Sequence, residues 1–155
     1  MYGSVRQFIS ERQWLVYVSV LNGRGATPLE SPTMYPDLVV LIVEDEALLR
    51  YSMAYALRGD GWLILEASSG EQAVAYLKAG EKIDIVFTDI TLGGLLSGWD
   101  VADAFRLARS EIPILYTSGH ANDRSRQVKD SQFFLKPYDI AAVVKACQQI
   151  GAPSP

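Results

Sequence analysis

The chain has 155 residues with a net charge of −4, so an electrostatic preference for nucleic acid is not expected. Its single cysteine, Cys147, excludes an internal disulfide and a cysteine-based metal cluster. No apolar run reaches the roughly 18 residues of a membrane span, so we expect a cytoplasmic protein of one full-sized domain without a membrane partner.

Residues 1–37 differ in pattern from the rest and are interpreted as an N-terminal extension and linker. Residues 13–21 are apolar enough for a strand, and the prolines between residues 28 and 36 are typical of a linker. One interpretation is an extra edge strand or a docking segment. The other is a poorly ordered tail, or a true translation start at Met34.

From residue 38 to residue 151, strand and helix patterns alternate, and residues 152–155 remain as a tail. Short apolar runs predict strands at 38–43, 62–67, 83–88, 113–117 and 133–135. Apolar residues spaced three or four apart predict helices, caps included, at 46–58, 69–80, 99–110, 122–129 and 139–151. The segment 122–129 is the shortest and most polar of these helices.

This alternation predicts an α/β fold, with a doubly wound, five-stranded parallel sheet covered by helices on both faces. The carboxyl ends of parallel strands share one edge, which is where open α/β sheets bind their ligands. Glu44-Asp45, Asp89 and Lys136 follow the first, third and fifth strands. Carboxylates and one ammonium group therefore meet in a crevice, as in a site for phosphate and magnesium.

These residues resemble the motifs of the receiver domain of two-component response regulators, the domain found in the chemotaxis response regulator. The resemblance covers residues 38–151 and implies the flavodoxin-like strand order 2-1-3-4-5. The matching pieces, in chain order, are Val43-Glu44-Asp45-Glu46, Asp89, Gly98, Thr117-Ser118 and Lys136-Pro137.

The resemblance implies that Asp89 is the phosphoacceptor, which attacks a phosphohistidine of a histidine kinase or of a histidine phosphotransfer protein. Lys136 then pairs with Asp89 at rest and with a phosphoryl oxygen afterwards, and the Thr117 hydroxyl binds the same oxygen. Thr117 and Phe133 stand at the switch positions of the family, where Phe133 turns inward as Thr117 moves.

The resemblance also implies a bound Mg²⁺ ion, because hard cations prefer oxygen ligands and one or two carboxylates suffice for Mg²⁺. The implied ligands are Asp45, Asp89 and the backbone carbonyl of Thr91, with Glu44 acting directly or through water. A domain of this kind catalyses its own magnesium-dependent phosphorylation and dephosphorylation, and it is not a conventional turnover enzyme.

Little sequence follows residue 151, so we expect a stand-alone phosphoacceptor without an output domain that acts on a downstream protein target or relays phosphate. The alternative is a binding module of the same fold that works without phosphorylation. A phosphohydrolase or nucleotide-binding enzyme is disfavoured, because Gly-x-Gly-x-x-Gly and Walker loops are absent. Aspartate-based phosphatases also carry a second aspartate where this chain has Thr91.

Two features depart from the family pattern. The loop after Asp89 carries Gly93-Gly94 where a proline is common in the family. The span from Thr117 to Lys136 is a few residues shorter than usual, which weakens the prediction of a helix at 122–129.

Other residues have simple structural interpretations. We expect His120 to lie in a solvated loop, and Cys147 and Trp99 to pack in the core.

Overall fold

The computed structural model describes residues 38–121 and 124–152, all within one compact unit, and the predictions for residues 1–37 lie outside this part. The strands are β1 (Val39–Val43), β2 (Leu63–Ala67), β3 (Ile85–Asp89), β4 (Ile114–Ser118) and β5 (Gln132–Leu135). The helices are α1 (Ala47–Gly59), α2 (Gly70–Ala79), α3 (Gly98–Ala108) and α4 (Ile140–Gly151). Within the described residues, none of the helices has the length and apolar character needed to cross a membrane.

The five strands form one parallel sheet in the order β2-β1-β3-β4-β5, so the predicted fold and strand order are confirmed. The three central strands β1, β3 and β4 are buried along their whole length, as continuous apolar runs require. All the strands run in the same direction, but β2 is added on one side of β1 and β3 on the other, so the winding of the chain across the sheet reverses between β1 and β3. The crevice of the fold therefore opens at the carboxyl ends of these two strands.

Two apolar layers cover the sheet, because alternate residues of a buried strand face opposite sides. Leu41 and Val43 face the layer of α2 and α3, while Val40 and Ile42 face the layer of α1 and α4. The first layer contains Trp99, and the second contains Cys147, as predicted from the sequence.

Short-range side-chain caps define where three helices begin. Ser69 Oγ accepts a hydrogen bond from the backbone N–H of Gln72 (3.2 Å), and Asp139 Oδ1 accepts one from Ala141 (2.9 Å), both at predicted caps. At the start of α3, Ser97 and Asp100 form a reciprocal capping box. The caps of α2 and α3 fix the first turns of these helices beside the carboxyl edge of the sheet.

The helix predicted at 122–129 is wrong for the residues that the structure describes there, because residues 124–131 form turns. Val128 is the single apolar residue of the predicted segment, so a helix would have no apolar face to bury. Two arginines instead attach the connection between β4 and β5 to α3. Arg126 pairs with Asp100 (2.9 Å) and Asp103 (2.7 Å), and Arg106 donates a hydrogen bond to the Lys129 carbonyl (2.8 Å).

Candidate functional site at the carboxyl edge of the sheet

The strand register brings the predicted site residues to one edge. Val43 lies opposite Thr88, so Glu44 and Asp89, which follow these two residues, leave neighbouring strands at the same level. Asp89 in turn lies opposite Thr117 on β4. The backbone alone therefore places two carboxylates and one hydroxyl around the crevice between β1, β3 and β4.

The ammonium group of Lys136 binds two of these carboxylates. Its Nζ lies 2.6 Å from Asp89 Oδ2 and 2.9 Å from Glu44 Oε2, and its backbone N–H donates to the Ser118 carbonyl (2.7 Å). Glu44 is 1% exposed and Asp89 is 6% exposed, so these are charged hydrogen bonds with little access to solvent. The contact with Asp89 follows the sequence prediction, and the contact with Glu44 is additional.

The protonation equilibria reflect this crowding. Burial raises the pKa of Glu44, and the nearby Asp89 charge raises it further, while the bond from Lys136 counteracts both. Burial alone lowers the pKa of Lys136, but its hydrogen bonds to Asp89 and Glu44 outweigh burial and leave its pKa raised. Lys136 is therefore a permanent cation at neutral pH, and a second cation would further relieve the clustered carboxylates.

Three carboxylates are arranged so that they could share a metal ion. One oxygen from each of Glu44, Asp45 and Asp89 lies within 4.8 Å of the others. Asp45 is exposed, whereas the other two are buried, so the group opens to solvent on one side. An all-oxygen donor set with an open side fits Mg²⁺, which retains several of its waters. Thr91 lies beside this group, because its backbone N–H donates to Asp89 Oδ1 (3.2 Å).

The side chain of Thr117 is buried, and its Oγ1 has no hydrogen-bond partner among the described residues. A buried hydroxyl without a partner is unfavourable by about 1–3 kcal/mol, so this group favours any acceptor that enters beside Asp89. The geometry therefore fits an incoming oxygen-rich group such as a phosphoryl group.

Phe133 lies on β5, in register with Tyr116 of β4. It is half-buried against the core layer of α2 and α3, and the guanidinium carbon of Arg124 lies 4.5 Å from the centre of its ring. His120 is exposed, with its backbone N–H donating to Ser118 Oγ (3.1 Å), as expected for a loop residue.

Gly98 allows α3 to begin directly against the end of β3. Its N–H donates to the Ile90 carbonyl (2.9 Å), and a Cβ atom at this position would overlap the backbone carbonyl of Asp89. A glycine is therefore needed for this close approach. This packing places the start of α3 directly against the backbone of Asp89.

Two residues that support the site were missed in the sequence. Arg50 donates a hydrogen bond to the Glu44 carbonyl (2.6 Å), and Glu71 accepts bonds from the N–H groups of Leu95 and Leu96. From the sequence, Arg50 is expected to be an ordinary solvent-exposed residue of a helix. From the sequence, Glu71 is expected to be an acidic residue that stabilises the first turn of a helix through the helix dipole. Neither contact has a local sequence signal, since each depends on how a loop folds back.

The structure is that of a doubly wound α/β domain with clustered carboxylates and a lysine at the switch point of its sheet. The family model of the response regulator receiver domain matches residues 40–148, and the chain belongs to this family of two-component signalling domains.

Solved structures and curated relatives agree with this assignment. A response regulator receiver protein from Sinorhizobium medicae is 36% identical with a TM-score of 0.71, covering 74% of this chain and 94% of that chain. One from Pseudomonas putida is 25% identical with a TM-score of 0.65, covering 74% and 98%. The sensory transduction protein RegX3 of Mycolicibacterium smegmatis is 31% identical over 73% of this chain. The chain spans about half the length of the curated relatives it matches, for example 51% of RegX3.

Proposed function

We propose that this domain accepts a phosphoryl group on Asp89 from a histidine kinase or a histidine phosphotransfer protein, and passes the signal to a downstream protein. The observation that carries the proposal is the 2.6 Å contact between Lys136 and Asp89 inside the carboxylate cluster. Lys136 is already bound to Asp89 and to the adjacent Glu44, so its ammonium group lies where it can pair with a phosphoryl oxygen on Asp89.

In the proposed step, a carboxylate oxygen of Asp89 forms a bond to phosphorus while the phosphorus–nitrogen bond to the donor histidine breaks. The electron pair of that bond stays on the imidazole nitrogen, and Asp89 becomes an acyl phosphate. Lys136 then pairs with a phosphoryl oxygen, and the Thr117 hydroxyl donates to the same group. Such reactions depend mainly on positioning and charge neutralisation, which these side chains supply.

Mg²⁺ is the proposed cofactor, held by Asp45, Asp89 and the Thr91 carbonyl, with Glu44 acting directly or through water. When bound, the ion supplies positive charge to the phosphoryl oxygens. The three-carboxylate cluster supports this choice, since its oxygens lie within 4.8 Å of one another.

Incubation with Mg²⁺ and acetyl phosphate tests the acceptor directly. We expect one alkali-labile phosphoryl group per wild-type chain and none on Asp89→Asn, as measured by intact mass. Asp130→Asn is a matched control, because Asp130 is exposed and has a φ of 56°, which asparagine tolerates well. Labelling of Asp89→Asn at the wild-type level would refute the acceptor. A wild type that neither labels nor responds to Mg²⁺ would favour the phosphorylation-independent binding module.

Thr117 and Phe133 are the proposed switch residues. Two observations support this assignment: Thr117 Oγ1 has no partner among the described residues, and Phe133 is only half-buried, with Arg124 over its ring. We expect Phe133→Ala to label normally on Asp89 but to lose the phosphorylation-dependent change in hydrogen exchange of residues 124–135. A parallel loss of labelling would instead mark Phe133 as a structural residue.

A further inference from the structure

The loop between β3 and α3, residues 90–97, is anchored at both ends by local hydrogen bonds. The Gly98 N–H donates to Ile90, and the Thr91 N–H donates to Asp89 Oδ1. The middle of the loop is held from another element. One oxygen of Glu71, in the first turn of α2, accepts hydrogen bonds from the N–H groups of Leu95 (2.6 Å) and Leu96 (3.0 Å).

The glycines around this contact leave little space for movement or for side chains. A Cβ atom at Gly94 would overlap the Glu71 carboxylate, and one at Gly93 would lie 3.1 Å from Asp45 Oδ2. A Cβ at Gly70 would lie 2.7 Å from the Leu96 carbonyl oxygen, so α2 also touches the loop through its first residue. The Gly93-Gly94 pair therefore passes between a carboxylate of α2 and a carboxylate of the acidic site.

We infer that Glu71 is a positioning residue of the acidic site, which keeps the loop that carries Thr91 and Gly93 seated against Asp89 and Asp45. The inference rests on the proposed function, in that Mg²⁺ binding is the process that Glu71 supports. Glu71 itself is not a member of the carboxylate cluster of Glu44, Asp45 and Asp89.

The chemistry of the contact suits this role. Hydrogen bonds to a charged acceptor are stronger than those between neutral groups. Backbone N–H groups, first that of Glu71 itself and then those of Leu96 and Leu95, lower the pKa of Glu71. The acceptor is therefore a carboxylate throughout the neutral pH range, and it does not need a metal to hold the loop.

Removal of Glu71 should free the middle of the loop, because two consecutive glycines have many accessible backbone conformations. The conformation in which Thr91 and Gly93 lie against the carboxylates is then populated less. Apparent Mg²⁺ affinity falls in proportion to that population. We expect a loss of about tenfold, the lower end of the effect of removing a residue that supports a metal ligand.

The test compares the Mg²⁺ affinity of full-length variants by titration of NMR amide shifts. Glu71→Ala should bind about tenfold more weakly, in line with losses seen at supporting positions. Glu71→Gln should stay near wild type, because its amide oxygen still accepts both hydrogen bonds. Glu111→Ala removes one exposed acidic charge at the opposite edge of the sheet and should bind like wild type.

Two further measurements separate positioning from a general loss of stability. Amide exchange of Leu95 and Leu96 without metal should accelerate in Glu71→Ala and remain slow in Glu71→Gln. Gly94→Ala, which leaves the charge of Glu71 in place, should also weaken Mg²⁺ binding. Wild-type affinity in Glu71→Ala, or an affinity in Glu71→Gln as weak as in Glu71→Ala, would overturn the inference. A wild type that binds Mg²⁺ but accepts no phosphoryl group would overturn the proposed function alone.

Discussion

Among the individual residues, Lys136 controls the electrostatic balance of the site, since it hydrogen-bonds two carboxylates that are almost fully buried. Removing one partner of a buried ion pair leaves uncompensated charge and costs about 3 kcal/mol or more. Without metal, we therefore expect Lys136→Met to lower the free energy of unfolding by about 3 kcal/mol. Added Mg²⁺ should restore part of this loss, because the cation replaces the missing ammonium charge.

Urea unfolding followed by circular dichroism, with and without Mg²⁺, measures this effect. Lys145→Met is the control, because Lys145 is an exposed lysine of α4. Equal stability of Lys136→Met and wild type in the absence of metal would contradict the assigned role of Lys136 as the compensating charge.

The same residues show how far the sequence can predict a site. Asp89 and Lys136 each follow a short apolar strand, and parallel strands share an edge, so their meeting was predictable from order alone. The contact between Lys136 and Glu44 depends on which of two adjacent acidic side chains turns inward. The contacts of Glu71 are with a loop whose path depends on close approaches at Gly93 and Gly94, and no local pattern predicts that path.

Helix α3 illustrates how one cap links an element to its surroundings. Hydrogen bonds from the Ser97 side chain, then from its backbone N–H, and then from Arg126 lower the pKa of Asp100 to about 2, from an ordinary value of 3.8. A folded-state pKa below the unfolded value contributes stability above pH 3.8, and this contribution is lost as pH falls toward 2. The Asp100 side chain is 36% exposed, so solvent screening reduces this contribution to about 1 kcal/mol.

Asp100→Asn should therefore be less stable than wild type by about 1 kcal/mol at pH 6, with the difference shrinking below pH 3.8 and vanishing only as pH falls through about 2. Urea unfolding across this pH range measures it, and Glu111→Gln controls for the loss of one negative charge elsewhere. A difference that stays constant with pH would mean that the charge of Asp100 does not stabilise the cap.

The connection from β4 to β5 is the segment where secondary structure was predicted wrongly from the sequence. Strands and capped helices were predicted to within a few residues, because each has its own apolar period or cap. The helix predicted at 122–129 was wrong for its described residues, 124–129, where Arg126 instead pairs with two acidic residues of α3. The conformation of such a polar segment depends on contacts with another element, and its own sequence pattern does not reveal them.

For the whole molecule, the strand order couples formation of the acidic cluster to the folding equilibrium. The carboxylates of β1 and β3 come together only when these distant strands pair in the central sheet. An ion that binds only the folded chain raises the free energy of unfolding by about 2.7 kcal/mol when its concentration is one hundred times its dissociation constant.

Mg²⁺ should therefore raise the urea midpoint of wild type, whereas NaCl at equal ionic strength should raise it less. Asp45→Ala removes the one exposed member of the cluster, so it should fold normally and lose this response. An equal rise of the midpoint in wild type and Asp45→Ala would assign the stabilisation to general ion effects and argue against a magnesium site formed by these strands.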